Sequence, residues 1–263
     1  MQLRHLRWFV VLGAGLTVGA ACSPGRAAAD AGTTDATGEA LGGDDQLFVP
    51  AGLPNTNQDG QDDGLVLVAF TLVQEATGPA FYAAVQNVWT TPLCEAGMML
   101  SFYDRSGQSV GSAAGVLQTG QFYTLDDGSG TIIPCVAPGQ IAMTGETGLP
   151  DTIVIDQLGS LVHLFPSFNV AVVPAGALTV AGLQAVGGAT GTSYSGTVGN
   201  AIGAAASSPG VAVFPVNRVG RPLGLAAASA TTELPAGGTW AFQTGAVSDP
   251  GVGQVAYGSA SVP

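Results

Sequence analysis

The chain contains no lysine, and its six basic residues, all arginines, stand against 18 Asp and Glu for a formal net charge of −12. Charged residues of either sign make up only 9% of the 263 positions. Binding to a polyanion is driven by clustered cations, so nucleic acid and anionic lipid surfaces are poor partners, and no nucleic-acid partner is expected. Histidine is scarcer still: His5 lies in the basic amino terminus and His163 is the other. A paired-histidine metal motif is therefore impossible, and the chain also lacks a phosphate loop and a C-x-x-C pair. Nowhere do apolar residues keep a three-to-four spacing long enough for a helix of more than a couple of turns.

The few groups that could do chemistry do not converge. His163 has Ser160 and Asp156 as neighbours, but in an extended chain separations of three and seven residues place both on the opposite face from the imidazole. The adjacent carboxylates Asp62-Asp63 and Asp126-Asp127 diverge for the same reason and make no acid/base couple. Trp89 and Trp240 read as core or sheet-surface residues rather than a sugar platform. No catalytic residue is expected, and the chain is read as a non-enzyme.

What is present begins with export. Arg4, His5 and Arg7 precede an apolar run over 8–21 that ends at Cys22. Fourteen apolar residues are short for a membrane span, which needs about 20, and suit a cleaved signal. The sequence VGAAC at 18–22 resembles the bacterial lipoprotein signal, in which small residues precede a cysteine that is acylated and becomes the first residue of the mature protein. That resemblance implies a signal peptide over 1–21, lipidation at Cys22 and membrane attachment through the lipid. Ser23 after the cysteine implies sorting to an outer membrane. Because Gly19 stands where such signals usually carry Leu, a second cut after Ala29, in an A-x-A setting with Ala27, leaves a secreted or periplasmic form open. Removing 1–21 leaves 4 arginines against 18 carboxylates, 4 − 18 = −14.

A duplication organises the rest. LSFYDRSGQSVG at 100–111 recurs as VFPVNRVGRPLG at 213–224, an offset of 113 that also superposes Asn87 on Asn200 and Arg105 on Arg218. Farther on the offset falls to 98, aligning Gly139 with Gly237, so the first copy carries 113 − 98 = 15 extra residues within 114–134. This is how a repeated supersecondary unit looks in sequence.

Along the chain, 22–64 is poor in large apolar residues and rich in acid, which predicts a flexible tether. Its stretch over 23–45 would hold the folded part about 25–30 Å from the anchor. Within it NTNQDGQDDG places oxygens at Asn55, Asn57, Asp59, Gln61 and Asp63, with Gly60 at the sixth place. That spacing resembles acidic calcium loops, although the twelfth place is Val66 rather than a bidentate Glu. The alternatives are a Ca²⁺ site and an Asn/Gly/Asp turn leading into the first strand.

Strands are predicted at 65–73, 82–89, 98–103, 108–114, 141–144, 152–155 and 161–165, then at 178–186, 193–202, 211–216 and 240–244. Asp104-Arg105-Ser106-Gly107 is a hairpin turn, and Asp126-Asp127-Gly128 in the insertion is another turn candidate. The spacing implies an all-β fold of two tandem sandwiches, one over 65–165 and one over 178–263, joined by a linker over 166–177. Each copy is long enough to bury a core of its own. Cys94 and Cys135, an even pair in an exported chain, are expected to form one disulfide belonging to the first copy alone, since their counterparts are Ser207 and Glu233.

A strand ending Phe102-Tyr103-Asp104 with Gly107 three residues on, an earlier strand bearing Val85 and Asn87, and a later Pro138-Gly139 together resemble the bacterial FxLYD domain, an immunoglobulin-like sandwich of exported proteins. The resemblance implies a binding or accessory module without catalytic residues. The expected role is thus a lipid-anchored envelope module that binds or scaffolds an envelope protein or polysaccharide. A self-assembling structural or adhesive surface subunit, favoured by the low charge, is the alternative, followed by a secreted hydrolase.

Overall fold

The structure, a computed structural model, describes residues 64–262, so the expected signal peptide, Cys22, the expected tether up to residue 63 and all five candidate calcium ligands lie outside the described residues. The described chain is almost entirely antiparallel β. In order, the strands are β1 (Leu65–Glu75), β2 (Gly78–Asn87), β3 (Leu93–Cys94), β4 (Gly97–Asp104), β5 (Ser109–Val116), β6 (Gln121–Leu125), β7 (Ile132–Val136) and β8 (Ile141–Glu146). They continue through β9 (Leu158–Leu164), β10 (Val172–Gly188), β11 (Gly191–Asn200), β12 (Ser207–Val216), β13 (Ala226–Ser229), β14 (Thr239–Gln243) and β15 (Gly253–Ser261).

In the first half the sheet β1-β2-β8 and the sheet β5-β4-β9 share one core. Strand alternation explains which residues fill it: Phe81, Ala83 and Val85 point inward from β2, and Met98, Leu100 and Phe102 meet them from β4. In the second half Leu178, Tyr194 and Phe242 from β10, β11 and β14 pack with Val211 and Val213 from β12 in the same way. The pairings recur at the sequence offset. Leu65 lies opposite Asn87 as Leu178 lies opposite Asn200, and the Glu75–Gly78 end of one hairpin matches Gly188–Gly191 of the other. The predicted strand at 152–155 is instead a turn running into a short 3-10 segment, Ile155–Gln157, and Ile153 and Ile155 plug the core.

The halves are more closely joined than a linker implies. Residues 172–177 do not form a separate connector: they are the first third of β10, a strand of 17 residues. That extension pairs with β6, placing Val172 opposite Leu125 and Ala177 opposite Gln121, so β10 runs from one half into the other. The hairpin β6–β7 spans most of the expected insertion. The 15 extra residues and the joining segment are therefore neighbours in one six-stranded sheet, β14-β11-β10-β6-β7-β3.

A second contact lies between the outer faces of two sheets. Thr71, Tyr82, Ala84 and Met143 point away from the first core yet are 4% exposed or less, and Ala212, Phe214 and Tyr257 point away from the second core and are equally buried. They cover one another. The Tyr257 hydroxyl donates to the Ile141 carbonyl at 3.0 Å, and the Thr71 hydroxyl donates to the Pro222 carbonyl at 2.7 Å. Tyr82 also hydrogen-bonds Glu75, and burial foremost pushes its phenol pKa far above the ordinary value. Pro215 fits in central β12 because β13 pairs only as far as Val213; the missing N–H faces the 222–224 segment instead, where Leu223 N–H donates to the Pro215 carbonyl.

Candidate functional site

His163 sits on β9 opposite Leu100, 3% exposed, its ring 4.9 Å from that of Phe165. Burial lowers its pKa, and its Nδ1 makes no hydrogen bond. Ser160 is exposed on the other face of the same strand, and Asp156 lies in the 3-10 segment. These three side chains are not brought together. Sequence reasoning missed Gly107-Gln108-Ser109-Val110-Gly111, which has the G-x-S-x-G spelling of a hydrolase elbow. That motif needs a sharp strand-to-helix turn, whereas here Gly107 closes a β-turn and Ser109 opens β5, exposed and remote from the core-facing imidazole.

The hairpin turn itself is as the sequence implies. The Asp104 carboxylate accepts from Ser106 N–H and Oγ and from Gln108 N–H, and these bonds, the Ser106 side chain first, hold its pKa below the ordinary range. Asp127 is lowered in the same manner by Ser129. Trp89 and Trp240 are half-buried against the first and second cores respectively. Among the described residues no three His, Cys, Asp or Glu side chains stand together as metal ligands, and no helix is long and apolar enough to cross a membrane.

The most specific construction is around the cysteines. Cys94 and Cys135 lie directly opposite each other where β3 meets β7, and they form a disulfide. Cys94 spends its own N–H and C=O on Phe168 from the other side. The two cysteines are thus a non-hydrogen-bonded pair, the register in which antiparallel side chains approach closest. Alternation then defines one face of this part of the sheet. Val172 and Pro174 of β10, Leu125 and Tyr123 of β6, and Ile133 of β7 share the face of the two sulfurs, with Phe168 at its margin. Tyr123 is 9% exposed and burial raises its phenol pKa, while Phe168 is 58% exposed. Asp126, Asp127 and Glu95 lie on the adjoining turns. A strip of aromatic and aliphatic surface with carboxylates beside it can make van der Waals and hydrogen-bond contacts with a neutral ligand.

No family model matches the chain, and no curated protein matches it.

Proposed function

We propose that the chain is an exported envelope protein, held to the membrane through an acylated Cys22, that works as a non-catalytic binding or scaffolding module. One observation carries this reading: the 94–135 disulfide, with both sulfurs fully buried, ties the inserted hairpin to the first half. Such bonds persist in oxidising compartments and are rare where thiols are kept reduced. The basic and apolar leader ending at Cys22 supports the same compartment. The Asn87 and Asn200 amides donate to carbonyls that match at the sequence offsets, Thr91 with Ala204 and Val136 with Leu234, which supports an origin by internal duplication, with the 15 added residues recruited to join the copies. Partner contact is assigned to the strip around Tyr123, Ile133 and Phe168. The motif-level likeness to FxLYD domains points to the same class of module.

The test is the mass and amino terminus of the chain recovered from the producing cell. A mature form beginning at Cys22 and carrying acyl chains is expected. A chain beginning at Asp30 without lipid would replace the anchored reading with a secreted one, and an uncleaved, reduced chain would end the export reading altogether.

A further inference from the structure

The contact between the two halves joins faces that correspond to two other faces left open. Counting back or forward by the offsets, Ala212 corresponds to Met99 (212 − 113), Tyr82 to Ser195 (82 + 113), Ala84 to Thr197 (84 + 113) and Met143 to Ala241 (143 + 98). The outer face of β1-β2-β8 is covered by the outer face of β13-β12-β15. The corresponding outer face of β14-β11-β10 and the corresponding outer face of β5-β4-β9 have no covering sheet among the described residues, and they lie at opposite ends of the succession of sheets.

Both open faces look like surfaces meant to be covered. On the β5-β4-β9 sheet the outward residues include Met99, Tyr103, Ala114, Val116, Val162 and Leu164, with Met99 at 46% and Val116 at 39% exposure. On the β14-β11-β10 sheet they include Gln184, Val186, Ser195, Thr197, Ala241 and Gln243. None of these twelve positions is charged. Soluble β proteins ordinarily use charges to keep sheets from pairing with one another, and these two faces have none. The first carries Met99, Val116, Val162 and Leu164 among serines and the second is small and hydroxyl-bearing, so the first can lie close against the second, as Phe214 and Tyr257 lie against Ala84 within the molecule.

We infer that a second copy of this chain covers each open face, the β14-β11-β10 face of one molecule seating on the β5-β4-β9 face of the next. The contact repeats between molecules the sheet-on-sheet contact already present between the halves. Because it joins two different faces, it is heterologous and propagates as an open row rather than closing as a dimer. The inference does not depend on acylation of Cys22 or on the strip near Phe168.

The test uses the full-length chain and two charge substitutions, one on each face: Met99→Lys and Ala241→Lys. Sedimentation velocity over a concentration series should show the native chain growing beyond dimers. Each variant alone should stay monomeric, with self-affinity lowered about tenfold or more. An equimolar mixture should form one-to-one dimers and nothing larger, because each variant keeps the face that the other has lost. That mixed dimer also shows that both variants are folded. Gln184→Lys and Ala114→Lys, on other strands of the same two faces, should behave as a second such pair. A native chain that is monomeric at every concentration overturns the inference. So does a single variant that still forms rows, or a native chain that assembles while both mixtures fail to dimerise.

Discussion

Asn87 and Asn200 hold the same network in the two halves. Each is at the end of a hairpin strand, and each Nδ2 donates to a matching pair of carbonyls, those of Thr91 and Val136 at 2.9 Å for Asn87 and those of Ala204 and Leu234 at 3.0 Å for Asn200, which also reaches the Pro235 carbonyl at 3.2 Å. Each Oδ1 accepts from the N–H two residues ahead, Trp89 or Ile202, at 2.9 Å. The acceptors follow the sequence offsets, 113 before the insertion and 98 after it. One amide side chain thus satisfies backbone groups from two separate segments, the loop that follows its own strand and a distant one, and both residues are almost fully buried.

Replacing either asparagine by alanine removes these hydrogen bonds and leaves the N–H of Trp89 or Ile202 without its side-chain acceptor. Asn87→Ala and Asn200→Ala should each lower unfolding stability by about 2–4 kcal/mol in chemical denaturation. Losses below about 0.5 kcal/mol would show that water replaces the amide freely.

Cys94→Ser/Cys135→Ser frees the inserted hairpin from β3. With a separation of 41 residues, the lost cross-link should cost about 3–4 kcal/mol on the chain-entropy account. Hydrogen exchange should rise first at the β6 and β7 amides, and the amides of β11 should be the least affected.

His163 gives a pH signature of definite sign. Burial holds its folded-state pKa below the ordinary 6.5, so the unfolded chain takes up a proton first as pH falls. Its contribution to stability is complete above pH 6.5 and declines as the pH drops through that value toward the lower folded-state one. Between pH 7 and 5, before most carboxylates titrate, the melting temperature of the native chain should fall. In His163→Leu that decline should shrink. An unchanged slope would remove the imidazole as its source.

The seam between the halves should make them unfold together. A single transition is expected by calorimetry, with Tyr257→Phe and Thr71→Val each lowering stability by about 0.5–1.5 kcal/mol through loss of one hydrogen bond across the seam. Two resolved transitions would show that the halves are independent.

Gly176 has φ +131° and lies so near the Ala201 carbonyl that a Cβ would stand 2.3 Å from its oxygen. Gly176→Ala should cost about 2–4 kcal/mol, while Gly187→Ala, which meets nothing within 4 Å, should stay within about 0.5 kcal/mol of native.

Several features were legible because they depend on near neighbours in sequence. The alternation in Met98, Leu100 and Phe102 marks the inward face of β4, and Asp104 with Gly107 writes its own turn. Asn87 and Asn200 stood out through the offset, although their role as shared donors needs partners that are 34 to 49 residues away. Two clues were present but undecided. The unbroken apolar runs AFYAAV in β2 and VAVFPV in β12 are what strands covered on both faces look like, but a run of that length does not name what covers the second face. The strands at 121–125 and 132–136 offered only a turn candidate between them, and β13 and β15 gave no periodic signal strong enough to predict.

The sequence by itself determined that this chain would be built of strands, where most of them turn, and which side of each faces a core, since each of these is set by backbone sterics and the two-residue period. It also placed Cys94 and Cys135 as partners, through their even number. Only the tertiary structure decided that 172–177 would continue β10 and pair with the inserted hairpin, and that Tyr82 and Phe214 would be buried against the other half. Those outcomes depend on the register between segments far apart in sequence, which is chosen by the sum of all contacts at once and not by any residue's own preference.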